Sequence, residues 1–188
     1  MPYRYCLRGR CANKLPIVRS GKEIRNKLLN WIPWLRPERI LIARPYTSTT
    51  EILDAMGGLF EENVDVRPGY TQALIHREQA FPTGLPTEPY GVAIPHADGE
   101  YVLRPGLAVC TLKRAVPFRE MGNPQNVIGV KLAILIALPL AQQTAQVNVL
   151  QWLLSLIQHQ PFLEDIAQCG QPSQVLQVFQ DYSQTLAQ

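Results

Sequence analysis

The 188-residue chain holds three histidines, and their positions separate them by the chemistry each could do. In GVAIPHADG (91–99) a short apolar run stops at Pro95 and His96 follows at once. Pro95 has its own φ fixed and pushes Ile94 towards an extended conformation, so the imidazole leaves the strand in a restricted direction. Gly99 lets the chain turn away behind it. His96 thus stands at the carboxyl end of an expected interior strand, where open α/β sheets place their ligands. His76 lies two residues from the apolar Leu74, about 200° round a helix, and His159 is likewise turned away from Leu150, so both read as solvated. No lysine or arginine stands within seven residues of His96, so positive charge must come from elsewhere in the chain.

Arg77 is the natural supplier. It falls three residues after Leu74, at the edge of a buried stripe, where a guanidinium can reach inward. Thr83 and Gly84, just after the same helix, add a hydroxyl and a loop able to turn backbone N–H groups towards an oxyanion. The pattern leaves alternatives open: a loop histidine bonded to backbone, an Arg77–Glu78 ion pair, a Thr83 that only caps a turn. A neutral imidazole, a guanidinium and a glycine-containing loop, with no carboxylate cluster for magnesium, suit one reaction: accepting a phosphoryl group on a ring nitrogen. In phosphoryl transfer the protein's task is alignment and charge stabilisation, so a histidine nucleophile with a few fixed donors suffices. An unperturbed histidine pKa of about 6.5 keeps the attacking nitrogen largely neutral near pH 7.

These residues need elements to hold them. Ser48-Thr49-Thr50-Glu51 reads as a capping box, followed by a helix with Ile52, Leu53, Met56, Leu59 and Phe60 as its stripe. TQALIHREQAF (71–81) predicts a second helix, ending in FPTG. Strands follow at 91–94, 106–112 and 130–138, the last two apolar without clean alternation, as expected of strands covered on both faces. AQVNVLQWLLSLIQHQ (145–160) predicts a third helix with Val149, Leu150, Leu153 and Ile157 inward, and SQVLQVFQDYSQTL (173–186) a last one. Helices before, between and after strands predict an α/β fold, a mixed central sheet flanked by helices on both faces.

Charge divides the chain. Residues 1–44 hold 11 lysines and arginines against 2 acidic residues, net +9, which leaves 45–188 at net −6. The reading is a basic extension, 1–44, partly helical or flexible, before a domain over 45–188, with the junction at RPERILIARP. Such an arm could attract nucleic acid, an anionic membrane face or an acidic partner, but a solvated leader is the plainer reading and no DNA-recognition helix is legible. Within the arm GKEIRNKLLNWIPWL could form a short helix, its Trp31 and Trp34 packing onto the domain. The longest apolar run, VKLAILIALPL, is too short to span a bilayer, which takes about 20 residues. No secretory signal is apparent, so the cytoplasm is expected. Cys6 and Cys11 lack a second pair to complete a zinc site, and neither a metal nor a cofactor is expected.

Taken together, QALIHREQAFPTGL (72–85), GVAIPHADG (91–99), AVPFREMG (115–122) and VKLAILIALPLAQQTAQVNVLQWLLSLIQ (130–158) resemble the enzyme IIA components of the bacterial phosphoenolpyruvate-dependent sugar phosphotransferase system, mannitol/fructose class, galactitol-type branch. The resemblance covers about residues 45–185. It implies that His96 accepts phosphate from the phosphohistidine of the small phosphocarrier protein and gives it to a cysteine of a IIB partner, with Arg77 as the active-site arginine. The mannitol and fructose branches carry a second histidine at the start of the helix after the long strand; here Gln146 falls there. Its amide can donate to a phosphate but cannot take up a proton, which agrees with the galactitol-like branch. The same residues would also serve a regulatory module whose phosphorylation state controls a transcription factor or transporter.

Overall fold

The apolar stretches GLAVCTL and VKLAILIAL form the middle of a five-stranded mixed sheet in the structure, a computed structural model that describes residues 31–186. The strands are β1 (Leu35–Arg44), β2 (Gly84–Leu85), β3 (Gly91–Ala93), β4 (Gly106–Glu120) and β5 (Asn123–Ala137). β4 and β5 form a long antiparallel hairpin; β1 runs parallel to β4, β3 parallel to β5, and β2 antiparallel to β3. Alternate residues of the central strands enter two separate cores. Leu107, Val109, Leu132, Ile134 and Ile136 face one side, while Ala108, Cys110, Ala133, Leu135 and Ala137 face the other. A strand buried on both faces needs no polar positions, which is why these two read as continuous apolar runs.

Helices cover both faces, as expected. On the smaller-residue side lie α1 (Thr49–Glu62) and α2 (Tyr70–Ala80). Ser48 caps α1, its hydroxyl accepting from Glu51 N at 3.2 Å, while the Glu51 carboxylate accepts from Thr47 N at 2.7 Å. Ile52, Leu53, Met56 and Phe60 are buried, with Leu59 at the margin of the stripe. On the opposite face lie α3 (Gln143–Ile157), α4 (Gln160–Gln168) and α5 (Pro172–Leu186), packed around Trp152, Phe162 and Phe179. The predicted 145–160 helix ends at Ile157, and α4 starts anew with Pro161 in its first turn, where proline's missing N–H does no harm. Among the described residues no helix is long and apolar enough to cross a membrane.

RPERILIARP, read from the sequence as a junction, is instead the bulk of β1. Leu35 and Ile40 are buried against β4 in register with Leu107 and Val109. Pro37 falls where the register of this edge strand shifts between Leu35 and Ile40, a place where proline is tolerated. Its charged pattern hid a buried Arg39, which is paired with the equally buried Asp65. Trp31 and Trp34 pack on the core with ring centroids 4.8 Å apart. The remainder of the expected N-terminal helix, with Cys6 and Cys11, lies outside the described residues. β4 and β5 also run further than their apolar stretches. Beyond residue 112 only one face of the hairpin is covered, so Val116 and Phe118 alternate with exposed neighbours and the segment lacks a strand's usual apolar density.

Candidate active site

The chain brings His96 out of the sheet at the end of β3. Pro95 O accepts from Ile136 N at 3.0 Å and His96 bridges Ile136 in parallel register, so the last turn of backbone before the ring is clamped to β5. Gly99 completes the placement. A Cβ there would stand 2.6 Å from Leu138 O and 2.7 Å from Leu140 N, so only glycine lets the loop after His96 cross the segment leading into α3. Gln146, in the first turn of α3, is half-buried, one turn before the fully buried Val149.

The ring itself is half-buried, and its Nδ1 lies 3.1 Å from Ile94 O. A carbonyl only accepts, so in the neutral imidazole Nδ1 carries the hydrogen and Nε2 keeps its lone pair. Burial lowers the pKa of His96 below its ordinary value, and the charge of Arg77 acts in the same direction. The Ile94 carbonyl and Asp98 oppose them. The neutral, nucleophilic form is therefore the resident one near pH 7.

Arg77 sits in the last turn of α2, half-buried, where a cation also complements the helix dipole. It does not pair with its neighbour: among the described residues no carboxylate lies within salt-bridge distance of it. Among the described residues its Nη1 is buried without a hydrogen-bond partner. What holds the guanidinium is Phe81, whose ring centroid lies 4.0 Å from the guanidinium carbon.

Glu78, one residue on, is occupied otherwise. Its carboxylate accepts from Thr83 N at 2.9 Å and from the Thr83 hydroxyl at 2.7 Å, and all three groups are buried. Burial raises the pKa of Glu78, against the two Thr83 bonds and the charge of Arg77. Thr83 O in turn accepts from Ile94 N at 3.2 Å. A chain of contacts thus runs from Glu78 through Thr83 to Ile94 and on to the His96 ring. Gly84 lies in β2, where a Cβ would be 2.6 Å from Arg119 O, so its bareness lets β2 close against the tip of β4. A cleft of about 590 Å³ beside α2 is lined by Ile75, Glu78, Phe118 and Arg119 among others, and His96 is not part of its wall.

Sequence reasoning singled out His96, Arg77, Thr83, Gly84 and Gln146, named Glu78 only as an alternative ion-pair partner of Arg77, and gave Phe81 no role. The signals were available: Phe81 is four residues after Arg77, hence on the same helical face, and Glu78 precedes by five a threonine just past the helix end. His76 and His159 are exposed. Among the described residues no group of three or more His, Cys, Asp or Glu side chains gathers as a metal site would.

The model of the family described as "Phosphoenolpyruvate-dependent sugar phosphotransferase system, EIIA 2" matches residues 34–182. The chain belongs to this family. The match begins one residue before β1 and runs into α5, so the EIIA sheet includes the strand that the sequence alone read as a junction. As an EIIA component the chain is a phosphotransferase, and its family transfers the phosphoryl group through a phosphohistidine. It is 26% identical over 121 residues to the galactitol-specific EIIA component of Escherichia coli K12, covering 64% of this chain and 79% of the relative. Among solved structures it is similar to IIA mannitol from Escherichia coli, with a TM-score of 0.63 and 25% identity over 77% of this chain and 98% of that one. The nitrogen regulatory protein IIA-Ntr from Neisseria meningitidis shares the fold at a TM-score of 0.65 and 19% identity, covering 79% and 97%.

Proposed function

We propose that His96 is the phosphoryl-accepting residue of this EIIA chain, and that Nε2 is the atom that accepts. The observation that carries this reading is the contact between Nδ1 and the Ile94 carbonyl, which commits one ring nitrogen and leaves the other nucleophilic. Nε2 attacks the phosphorus carried by the phosphohistidine of the small phosphocarrier protein. The donor's N–P bond breaks, its electron pair returning to the donor imidazole, as the new N–P bond forms on His96. No proton need leave His96, because Nδ1 keeps its hydrogen throughout. In the onward step a thiolate of a IIB cysteine attacks the same phosphorus and the electron pair returns to Nε2.

Arg77 supplies the cationic donor for the equatorial oxygens, and its unpaired Nη1 is what supports this role. Gln146 offers a neutral amide from the first turn of α3. Thr83 spends its only hydroxyl proton on Glu78, so its support comes through the Ile94 contact, and that of Gly84 through the closure of β2. The setting is cytoplasmic uptake of a carbohydrate, galactitol-like on the strength of the curated relative. A IIB partner is supported by a similar solved structure, the Escherichia coli complex of IIA mannitol with phosphorylated IIB mannitol, which has a TM-score of 0.65 and 23% identity.

The test supplies phosphoenolpyruvate, enzyme I and the phosphocarrier protein and follows acid-labile label on the chain. His96→Ala and His96→Gln should take up none, and a variant that labels as the parent does removes His96 from the role. The fold shared with a nitrogen regulatory protein favours one second reading, a phosphorylation switch without onward transfer. A phosphoprotein whose label resists every IIB protein would decide for the switch.

A further inference from the structure

Phe81 presents an anomaly. It is a large aromatic side chain, 62% exposed, at the C-terminal cap of α2, where a polar residue would be hydrated without cost. It is not part of either core. Its backbone N–H donates to Arg77 O at 2.8 Å, closing the last turn, and the buried Pro82 behind it restricts its backbone. The one aromatic contact it makes among the described residues is with the Arg77 guanidinium, 4.0 Å from its ring centroid.

A guanidinium can be held by a carboxylate or by an aromatic face, and the two differ in what they leave over. A carboxylate engages the in-plane N–H groups and cancels the charge. An aromatic ring engages the flat face alone, leaving the in-plane donors and the full charge for an incoming anion. Arg77 is held in the second way, and the neighbouring Glu78, which could have held it in the first, is bound to Thr83 instead. We propose that Phe81 is a positioning residue for phosphoryl transfer, fixing the Arg77 guanidinium face-on so that its N–H donors stay free for the phosphoryl oxygens. This inference rests on the reading of Arg77 given above.

The experiment compares Phe81→Ala, Phe81→Leu, Phe81→Tyr and Phe81→Trp with the parent and Arg77→Ala. Single-turnover transfer of labelled phosphate from the phosphocarrier protein is measured over a range of carrier concentrations. Phe81→Ala and Phe81→Leu should lower the limiting rate by about two- to five-fold, the equivalent of an exposed cation–π contact, with the half-saturating carrier concentration unchanged. Phe81→Tyr and Phe81→Trp should restore the rate, because each supplies a π face. Circular dichroism melts should superimpose, since the side chain is outside the core. A leucine as fast as the parent, or a change confined to the half-saturating concentration, overturns the inference and makes Phe81 a docking contact. Unchanged transfer by Arg77→Ala sinks the reading of Arg77 itself, whereas a slow Arg77→Ala beside a normal Phe81→Ala sinks this inference alone.

Discussion

Thr83→Val tests the link that ties the end of α2 to the histidine strand. Thr83 is 2% exposed and valine has nearly its shape, so the substitution leaves no cavity and deletes one interaction, the 2.7 Å hydrogen bond to the Glu78 carboxylate. Glu78 keeps the 2.9 Å bond from Thr83 N but loses its second buried donor. A hydrogen bond to a charged group contributes about 1.5–3 kcal/mol. For a domain of this size each kcal/mol moves Tm by about 2–4 °C, so the melting point should fall by roughly 3–12 °C. The pH dependence has a definite sign. Burial already raises the folded-state pKa of Glu78, and losing the hydroxyl raises it further. A carboxylate with a raised folded pKa weakens the fold as pH rises through that value, because the unfolded chain has by then released its proton. The deficit of Thr83→Val should therefore be largest near pH 7.5 and shrink as pH falls towards 5. Urea titrations at both pH values, followed by circular dichroism, measure it. A midpoint equal to the parent's at pH 7.5, or a deficit that grows on acidification, refutes the reasoning.

His96 should titrate below the ordinary histidine value, so the acid limb of its acceptance rate should lie at lower pH than that of an ordinary imidazole. Arg77→Ala should move that acid limb upward, and histidine NMR titration checks both; a midpoint above the ordinary value is the contrary result. Because the unfolded chain binds the His96 proton first, His96 weakens the fold as pH drops through this range, and His96→Asn should be the more acid-resistant protein in urea melts. Asp65→Ala leaves the buried Arg39 without its carboxylate and should cost about 3–5 kcal/mol, whereas Arg104→Ala, at an exposed partner of the same carboxylate, should cost under about 1 kcal/mol. Equal effects in denaturant would contradict that division. Gly99→Ala drives a Cβ against the backbone of Leu138 and Leu140, so it should destabilise by about 1–3 kcal/mol and slow phosphorylation of His96; normal values for both would mean the loop yields freely.

The geometry of the candidate site was legible where one residue's own constraints pointed at it. Pro95 and Gly99 bracket His96 in the sequence, and both act in the structure as local backbone devices. The double-sided burial of β4 and β5 was equally plain, since it leaves no polar positions to misread. What escaped was settled by partners distant in sequence. β1 looks like a charged junction until Asp65, 26 residues on, supplies the counter-charge that permits a buried Arg39. The outer half of the β4–β5 hairpin looks like loop because only Val116 and Phe118 are buried there, and backbone pairing does the rest. Glu78 entered the sequence reading only as an alternative ion-pair partner of Arg77; its burial depends on Thr83, beyond the helix end, turning back to meet it.

Arg39 and Arg77 show why sequence alone cannot separate a structural cation from one proposed to be functional. Both lie over an aromatic ring, Arg39 at 4.4 Å from the centroid of Phe60 and Arg77 at 4.0 Å from that of Phe81. Each has a buried Nη1 without a partner among the described residues. The aromatic contact is therefore not the distinguishing feature; the counter-ion is. Arg39 is given Asp65, and burial then lowers its pKa against that carboxylate's pull, the balance of a charge enclosed for good. Arg77 has an acid one residue away that is turned to Thr83, and its ring partner is open to solvent. A fold that leaves a half-buried guanidinium uncompensated gives up stability at that point, and under the role proposed above for Arg77 a phosphoryl group on His96 is the anion that would restore it.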